Sequence, residues 1–207
     1  EGASLILLAQ HADDQAETVL LQALRGAGPA GLAAMPAQWQ AQGLHWARPW
    51  LARRRAELAA YVRAAGLPVV QDPSNEDPRF ARSRLRSQVL PLIEPAFPQA
   101  VPALGEVARH AAHARQLADE VAADDLPNCC DAQGQLLHKA WLQLPPARRR
   151  NALQAWLARQ LPEGVPVSLL DRLALQWQGL GREWPAPAGR LRSVRGRLRY
   201  EASSAAK

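Results

Sequence analysis

The feature that most limits how this chain can fold is its opening succession, "SLILLA" followed by "QHADDQAETVLLQAL". The stretch from Ser4 to Ala9 is a short apolar run of the kind found in a strand buried in a parallel sheet. Behind it, Ala16, Val19, Leu20, Ala23 and Leu24 recur at i, i+3, i+4, i+7 and i+8, one face of an amphipathic helix. Gly26 and Gly28 stop that helix. A strand feeding a helix through a polar turn is half of a βαβ unit. Ligands of open parallel sheets bind beyond the carboxyl ends of the strands. His11, Asp13 and Asp14 fall at that place. A purely local reading competes: Asp14 and Glu17 have the spacing of a capping box. One acid would suffice for a cap, so it leaves the others and His11 unexplained.

Further along, "LHWARPWL" (Leu44 to Leu51) reads as a strand ending at a proline, and "RRRAELAAYVRAAG" as a helix closing at Gly66. "PVV" predicts a short strand, and "QDPSNED" has turn chemistry. "ARSRLRSQVLPLIE" resumes a helical pattern broken near Pro91. "EPAFPQAVPALGE" (Glu94 to Glu106) reads as a linker or domain joint. Beyond it Val107, Ala111, Ala114, Leu117, Ala118 and Val121 predict an apolar stripe, and "ARRRNALQAWLARQL" and "SLLDRLALQWQ" two further amphipathic helices. The terminal "GRLRSVRGRLRYE" predicts a hairpin with a basic face. The expected fold class is therefore α/β. The C-terminal part of a parallel-sheet nucleotide-binding domain (residues 1–98) precedes a mostly helical α+β domain (residues 99–203) that ends in a β-hairpin.

Charge narrows the partners. The formal net charge is +6, and of 25 basic residues only Lys139 and Lys207 are lysine. Arginine makes planar two-point contacts to phosphate and stacks on bases, which favours a polyanionic partner. A GC-rich genome would give the same arginine excess without regard to function. The hydrophobic share of 48% allows a packed core, and no apolar run is long enough to span a bilayer. Cys129 and Cys130 are adjacent, which suits neither a disulfide framework nor a CxxC pair. With no secretory leader, a reducing cytoplasm is the expected location. The chain starts without Met and almost at once in a strand, which reads as a cut inside a domain.

"QHADDQAETVLLQALRGAGPAGLAAM" resembles the tRNA(Ile)-lysidine synthetases, members of the N-type ATP pyrophosphatases (adenine nucleotide hydrolase-like fold). "RPWL", "DPSNED" and "RSRLRSQVLPLI" follow in that family's order and spacing, and the likeness continues more weakly through "ADDLP" and the final hairpin. The resemblance implies an enzyme that uses ATP and Mg2+ to adenylate the C2 oxygen of the wobble cytidine in a tRNA(Ile) with a CAU anticodon. The side-chain amine of free L-lysine then displaces AMP. By resemblance, Asp14 and Glu17 form the lysine site. His11 and Asp13 line the same crevice, and Arg82 and Arg86 supply positive charge near the phosphates. Arg48, Asp72, Ser74 and Asn75 would form the wall beside it. The family's Arg-Asn-x-Ile/Leu-Arg pattern falls on residues 82–86, with Ser83 in place of Asn. The Ser-Gly-Gly-x-Asp-Ser ATP loop is absent, so these 207 residues alone are expected to be inactive.

Arg148, Arg149, Arg190, Arg192, Arg195, Arg197 and Arg199 are candidates for tRNA phosphate contact, each equally readable as a solvated surface charge. His110 and His113 lie three apart on a helix without a third ligand, so no metal site is expected. Trp141, Trp156 and Trp177 fit core positions. The resemblance leaves oligomeric state open, a homodimer included. Two other functions compete: a different tRNA-modifying ATP pyrophosphatase such as a thiolase, which would need more cysteines, and a non-catalytic basic RNA-binding module, which would leave the acids without purpose.

Overall fold

Strand β1 (Leu5–Leu7) pairs in parallel with β3 (Leu44–Ala47), and β2 (Gln38–Ala41) pairs antiparallel with β3. This computed structural model describes residues 2–70, 77, 79–161, 163–179 and 181–203. The parallel pair and the helix behind it, α1 (Ala12–Leu24), are the half-unit expected from the sequence. Two details differ. The β2–β3 hairpin makes the sheet mixed. Its turn, Gln42–Gly43, has φ of 55° and 74°, the left-handed pair of a type I′ hairpin. Gln in place of the usual Asn or Asp concealed that turn. The apolar run is also not buried: Leu5 is 53% and Leu7 61% exposed, the two sharing one face of the strand.

After a short α2 (Pro29–Leu32), the side-chain amide of Gln15 brackets Met35, accepting from its N–H and donating to its carbonyl, both at 3.1 Å. That pair of bonds pins α1 to the chain leading into β2. Helix α3 (Arg55–Ala64) follows β3. The strand expected at "PVV" is not formed, and Val69 and Val70 lie exposed in irregular backbone. "DPSN" lies outside the described residues.

The next helix is built in three parts: α4 (Ala81–Arg84), a π-helical turn (Leu85–Val89) and α5 (Leu90–Ala96). The cause is Pro91. A proline inside an α-helix clashes with the carbonyl four residues back and lacks its own N–H. Here the chain widens by one residue ahead of the proline, and Leu90 N–H reaches back to the Leu85 carbonyl. The expected joint at residues 94–106 is nearly all helix, because Pro102 stands in the first turn of α6 (Ala100–Cys129), where a missing N–H is harmless.

The chain divides into two compact units, residues 1–115 and 116–207, a division that falls within α6. The buried face of α6 is offset from the expected stripe. Val101, Ala108, Ala122, Leu126 and Cys129 are buried, whereas Val107 and Leu117 are exposed.

In the second unit, α7 (His138–Gln143), α8 (Pro146–Gln160) and α9 (Val167–Gln176) accompany an antiparallel sheet of order β4-β7-β6-β5. Its strands are β4 (Leu136–Leu137), β5 (Arg182–Ala186), β6 (Gly189–Val194) and β7 (Arg197–Ala202). The expected hairpin is β6–β7, closed by Arg195–Gly196 with φ of 50° and 76°. Strands β4 and β5 add to it beyond expectation. Leu153, Leu157, Leu173, Leu191 and Leu198 are fully buried in one core with Trp141, Trp156 and Trp177. Full burial is worth about 1.5–3 kcal/mol per large apolar side chain. Each indole N–H is satisfied: Trp141 by the Arg149 carbonyl, Trp156 by that of Gly134, Trp177 by Ser193 Oγ. The three tryptophans are core residues, as their sequence positions suggested.

Gly189 opens β6 where a Cβ would strike the Glu201 carbonyl and the Ala202 Cα. Gly189→Ala should therefore lower stability by about 1–3 kcal/mol, read as a reduced denaturation midpoint at unchanged m-value in urea unfolding.

Candidate active site

The first turn of α1 gathers the acids. His11 is its N-cap: its backbone N–H donates to Asp14 Oδ2 at 3.1 Å, and the Asp14 N–H donates to His11 Nδ1 at 3.4 Å. The capping box is thus His11–Asp14, not Asp14–Glu17. The helix starts one turn earlier than the spacing of acids suggested, and Glu17 is left free of capping duty. His11 Nε2 also lies 3.4 Å from Asp14 Oδ2, and His11 Nδ1 3.6 Å from Asp13 Oδ2.

Glu17 sits in the second turn and is 1% exposed. A buried carboxylate needs compensating partners. Arg86, from the π turn, supplies a two-point fork, with Nε donating to Oε1 at 2.7 Å and Nη2 to Oε2 at 2.9 Å. Its Nη2 also lies 3.3 Å from Asp14 Oδ1. Arg82, from α4, places Nε 3.2 Å from Glu17 Oε2 and donates from Nη2 to Thr18 Oγ1 at 2.7 Å. Thr18 in turn donates to the Asp14 carbonyl at 2.8 Å. The hydrogen bond to Glu17, set against burial, raises the Arg86 pKa and holds it charged. Asp14, Glu17, Arg82 and Arg86 therefore meet at one place. Acids and guanidiniums engage each other directly, where the sequence had suggested two separate charge sets.

Asp13 turns away from this pair. Its Oδ2 accepts from the Arg55 N–H at 2.7 Å, and its Oδ1 from Arg54 Nε at 3.2 Å. Arg54 Nη2 also donates to Glu94 Oε1 at 2.8 Å. Arg48, at the end of β3, donates from Nε to Gln10 Oε1 at 3.0 Å and from Nη1 to the Pro36 carbonyl at 2.8 Å, with its guanidinium 4.3 Å from the Trp39 ring centre. It holds the turn between β1 and α1 in place. Asp72, Ser74 and Asn75 lie outside the described residues. Ser83 is buried. Sequence reasoning missed Arg54, Glu94 and Thr18. "RRR" at residues 53–55 was the one available signal for the first, since a basic run at a helix start is electrostatically misplaced.

In the second unit the candidate arginines have partners within the fold. Arg148 Nε donates to Asp125 at 3.0 Å, and Arg149 Nε to the Leu144 carbonyl at 2.6 Å. Arg190, Arg192, Arg197 and Arg199 share one face of the sheet, as period-2 alternation predicts, but Glu183 and Glu201 are interleaved with them. Arg190 and Arg199 lie 2.9 Å and 2.7 Å from Glu201, Arg192 lies 3.0 Å from Glu183, and Arg197 lies 3.7 Å from Asp131. Arg195 stands in the hairpin turn. His110 faces Glu106 and Arg109. Burial pushes both Cys129 and Cys130 thiols up, away from reactive thiolate. No helix among the described residues is long and apolar enough to cross a membrane.

A strand, an acid-rich helix start and facing guanidiniums on one α/β unit agree with the family match: residues 1–93 fit the model of the PP-loop domain, a class of ATP-binding fold. Relatives named tRNA(Ile)-lysidine synthase narrow this. One from Pseudomonas aeruginosa is 41% identical over 94% of this chain and 47% of its own length. Another from Pseudomonas syringae pv. tomato is 47% identical over 74% of this chain and 36% of its own. A third from Escherichia coli O157:H7 is 40% identical over 90% of this chain and 43% of its own. The chain is similar to these tRNA(Ile)-lysidine synthases along most of its own length, and spans less than half the length of these curated relatives.

Burial raises the Asp13 pKa, but the Arg55 N–H and the Arg54 guanidinium outweigh it and hold the carboxyl below its ordinary value. A folded-state pKa below the unfolded one gives stability that is present above roughly pH 4 and is lost as pH falls through the folded value. Asp13→Asn should flatten this acid limb, visible as a smaller fall in melting temperature between about pH 5 and pH 2.

Proposed function

We propose that the full-length protein carries out the reaction its relatives are named for, ligating lysine to an isoleucine tRNA at the expense of ATP. The observation that carries the reading is the meeting of Asp14 and Glu17 with Arg82 and Arg86 behind the first strand of a PP-loop domain. The chemistry has two steps. The C2 oxygen of the wobble cytidine attacks the α-phosphate of ATP, forming a C2–O–AMP bond and releasing pyrophosphate. The side-chain amine of lysine then attacks C2, the C2–O bond breaks, AMP leaves with the electron pair, and the amine gives up a proton.

An incoming lysine carries an ammonium group, and Asp14 offers it a carboxylate that is already oriented by His11 and by its own helix cap. Glu17 sets the second charge of the pair through Arg86. The exposed edge of Arg82 is placed to meet phosphate oxygen, since its side chain is 44% exposed while still anchored on Thr18. Among the described residues no three His, Cys, Asp or Glu side chains converge as a metal cage. No step is assigned to Mg2+. The partners are tRNA(Ile) with a CAU anticodon and L-lysine, in the cytoplasm, and a homodimer is compatible with the reading. The sheet arginines of the second unit are proposed to meet tRNA phosphates by exchanging Glu183 and Glu201 for them.

In the full-length protein, Asp14→Ala should cut lysine incorporation by roughly 10²-fold, the scale of a lost charge partner, while tRNA affinity persists. A protein that incorporates no lysine as wild type and loses only about 1 kcal/mol of stability in Asp14→Ala would favour a binding module. Neutralising Arg190, Arg192 and Arg199 together should lower the salt slope of tRNA binding by roughly one unit per lost contact. An unchanged slope, measured by filter binding across a salt series, removes the sheet from the RNA surface.

A further inference from the structure

Arg54 occupies an unfavourable place. It is the N-cap of α3, its side chain makes no cap hydrogen bond, and its positive charge stands at the positive end of the helix dipole. The missing cap is supplied from another helix, by Asp13 Oδ2 accepting from the Arg55 N–H. The guanidinium itself reaches two further elements. Its Nη2 lies 3.1 Å from Asp13 Oδ1 on α1 and 2.8 Å from Glu94 Oε1 on α5. Beside this, the Ala12 N–H donates to the Arg53 carbonyl at 2.8 Å, so the first turn of α1 is stitched to residues 53–55 at several points.

Helix α1 carries the acids of the site, and the α4–π–α5 segment carries its arginines. They touch directly where Arg82 and Arg86 meet Asp14, Glu17 and Thr18. Those contacts all come from residues 82–86 of the segment, so its far end, about two turns on at Glu94, is held only by a link made there. We propose that Arg54 makes that link as a second strut: a positioning residue that joins Asp13 of α1 to Glu94 of α5 and so sets how far the Asp14 carboxylate stands from Arg86. The inference rests on the lysine-ligation reading above. Without the strut, α1 tilts toward the arginines, Asp14 is drawn further into its pair with Arg86, and less of its charge faces an ammonium. All three side chains keep partial exposure, at 31%, 18% and 41%, so the ion pairs add little to global stability and Arg54→Ala should still fold.

The test uses the full-length enzyme with tRNA transcript, ATP and lysine. In Arg54→Ala the KM for lysine should rise about tenfold, because small misplacement of a binding group is expensive in rate. The KM for tRNA and the ATP–pyrophosphate exchange rate should stay within about twofold. Arg54→Lys should recover part of the lysine KM, since it restores the charge without the rigid planar fork of a guanidinium, and Glu94→Gln should reproduce part of the defect. A lysine KM unchanged in Arg54→Ala, or lysine and tRNA KM values rising together, overturns the strut. A wild-type enzyme that forms no lysidine would instead overturn the reading it rests on. The strut is then judged by hydrogen exchange alone: amides of residues 81–93 should exchange at least about fivefold faster in Arg54→Ala, and equal rates refute it.

Discussion

The candidate site depends on one buried ion pair. Glu17 is almost wholly withdrawn from water, and an ionised carboxylate in that position is sustained only by close and well-aligned donors. Arg86 meets both of its oxygens, and Arg82 adds a third contact. Removing one member of such a pair costs about 3–5 kcal/mol, because the other is left charged and alone. The pair therefore determines more than local charge. It joins α1 to the segment bearing the arginines, and other groups of the site gather around that junction: Thr18 at Arg82, Asp14 beside Arg86, His11 at Asp14.

The carboxylates and guanidiniums neutralise each other in this structure. On the proposed reading, an ammonium at Asp14 would compete with Arg86, and a phosphate at Arg82 would compete with Glu17. The same logic recurs in the second unit, where Glu183 and Glu201 lie among the sheet arginines. A net charge of +6 thus does not translate into a bare basic surface. On the proposed reading, polyanion contact there would be an exchange of ion-pair partners.

What the sequence made legible was whatever short-range pattern could carry. The amphipathic period of α1, the acids at its start, the helices α8 and α9, the tryptophan core and the β6–β7 hairpin all follow from local spacing. What stayed hidden depends on distant partners. β2 and β5 are short, carry polar residues and are strands only because β3 and β6 pair with them. The exposure of Leu5 and Leu7 is set by what packs on that face of the strand, which their composition does not reveal. The strut from Arg54 to Asp13 and Glu94 spans about forty residues in each direction, a distance at which no periodicity speaks. The capping box was found in kind and misplaced by a turn, because His11 was not weighed as a cap.

The π turn ahead of Pro91 inserts one residue between Arg82 and the end of the helix. Each residue of an α-helix advances the chain by about 100° around its axis. An extra residue in a regular helix would swing everything beyond it by that angle. The widened turn takes up the extra residue locally, so the segment bearing Glu94 keeps its facing while Arg86, inside the wide turn, is aimed toward Glu17.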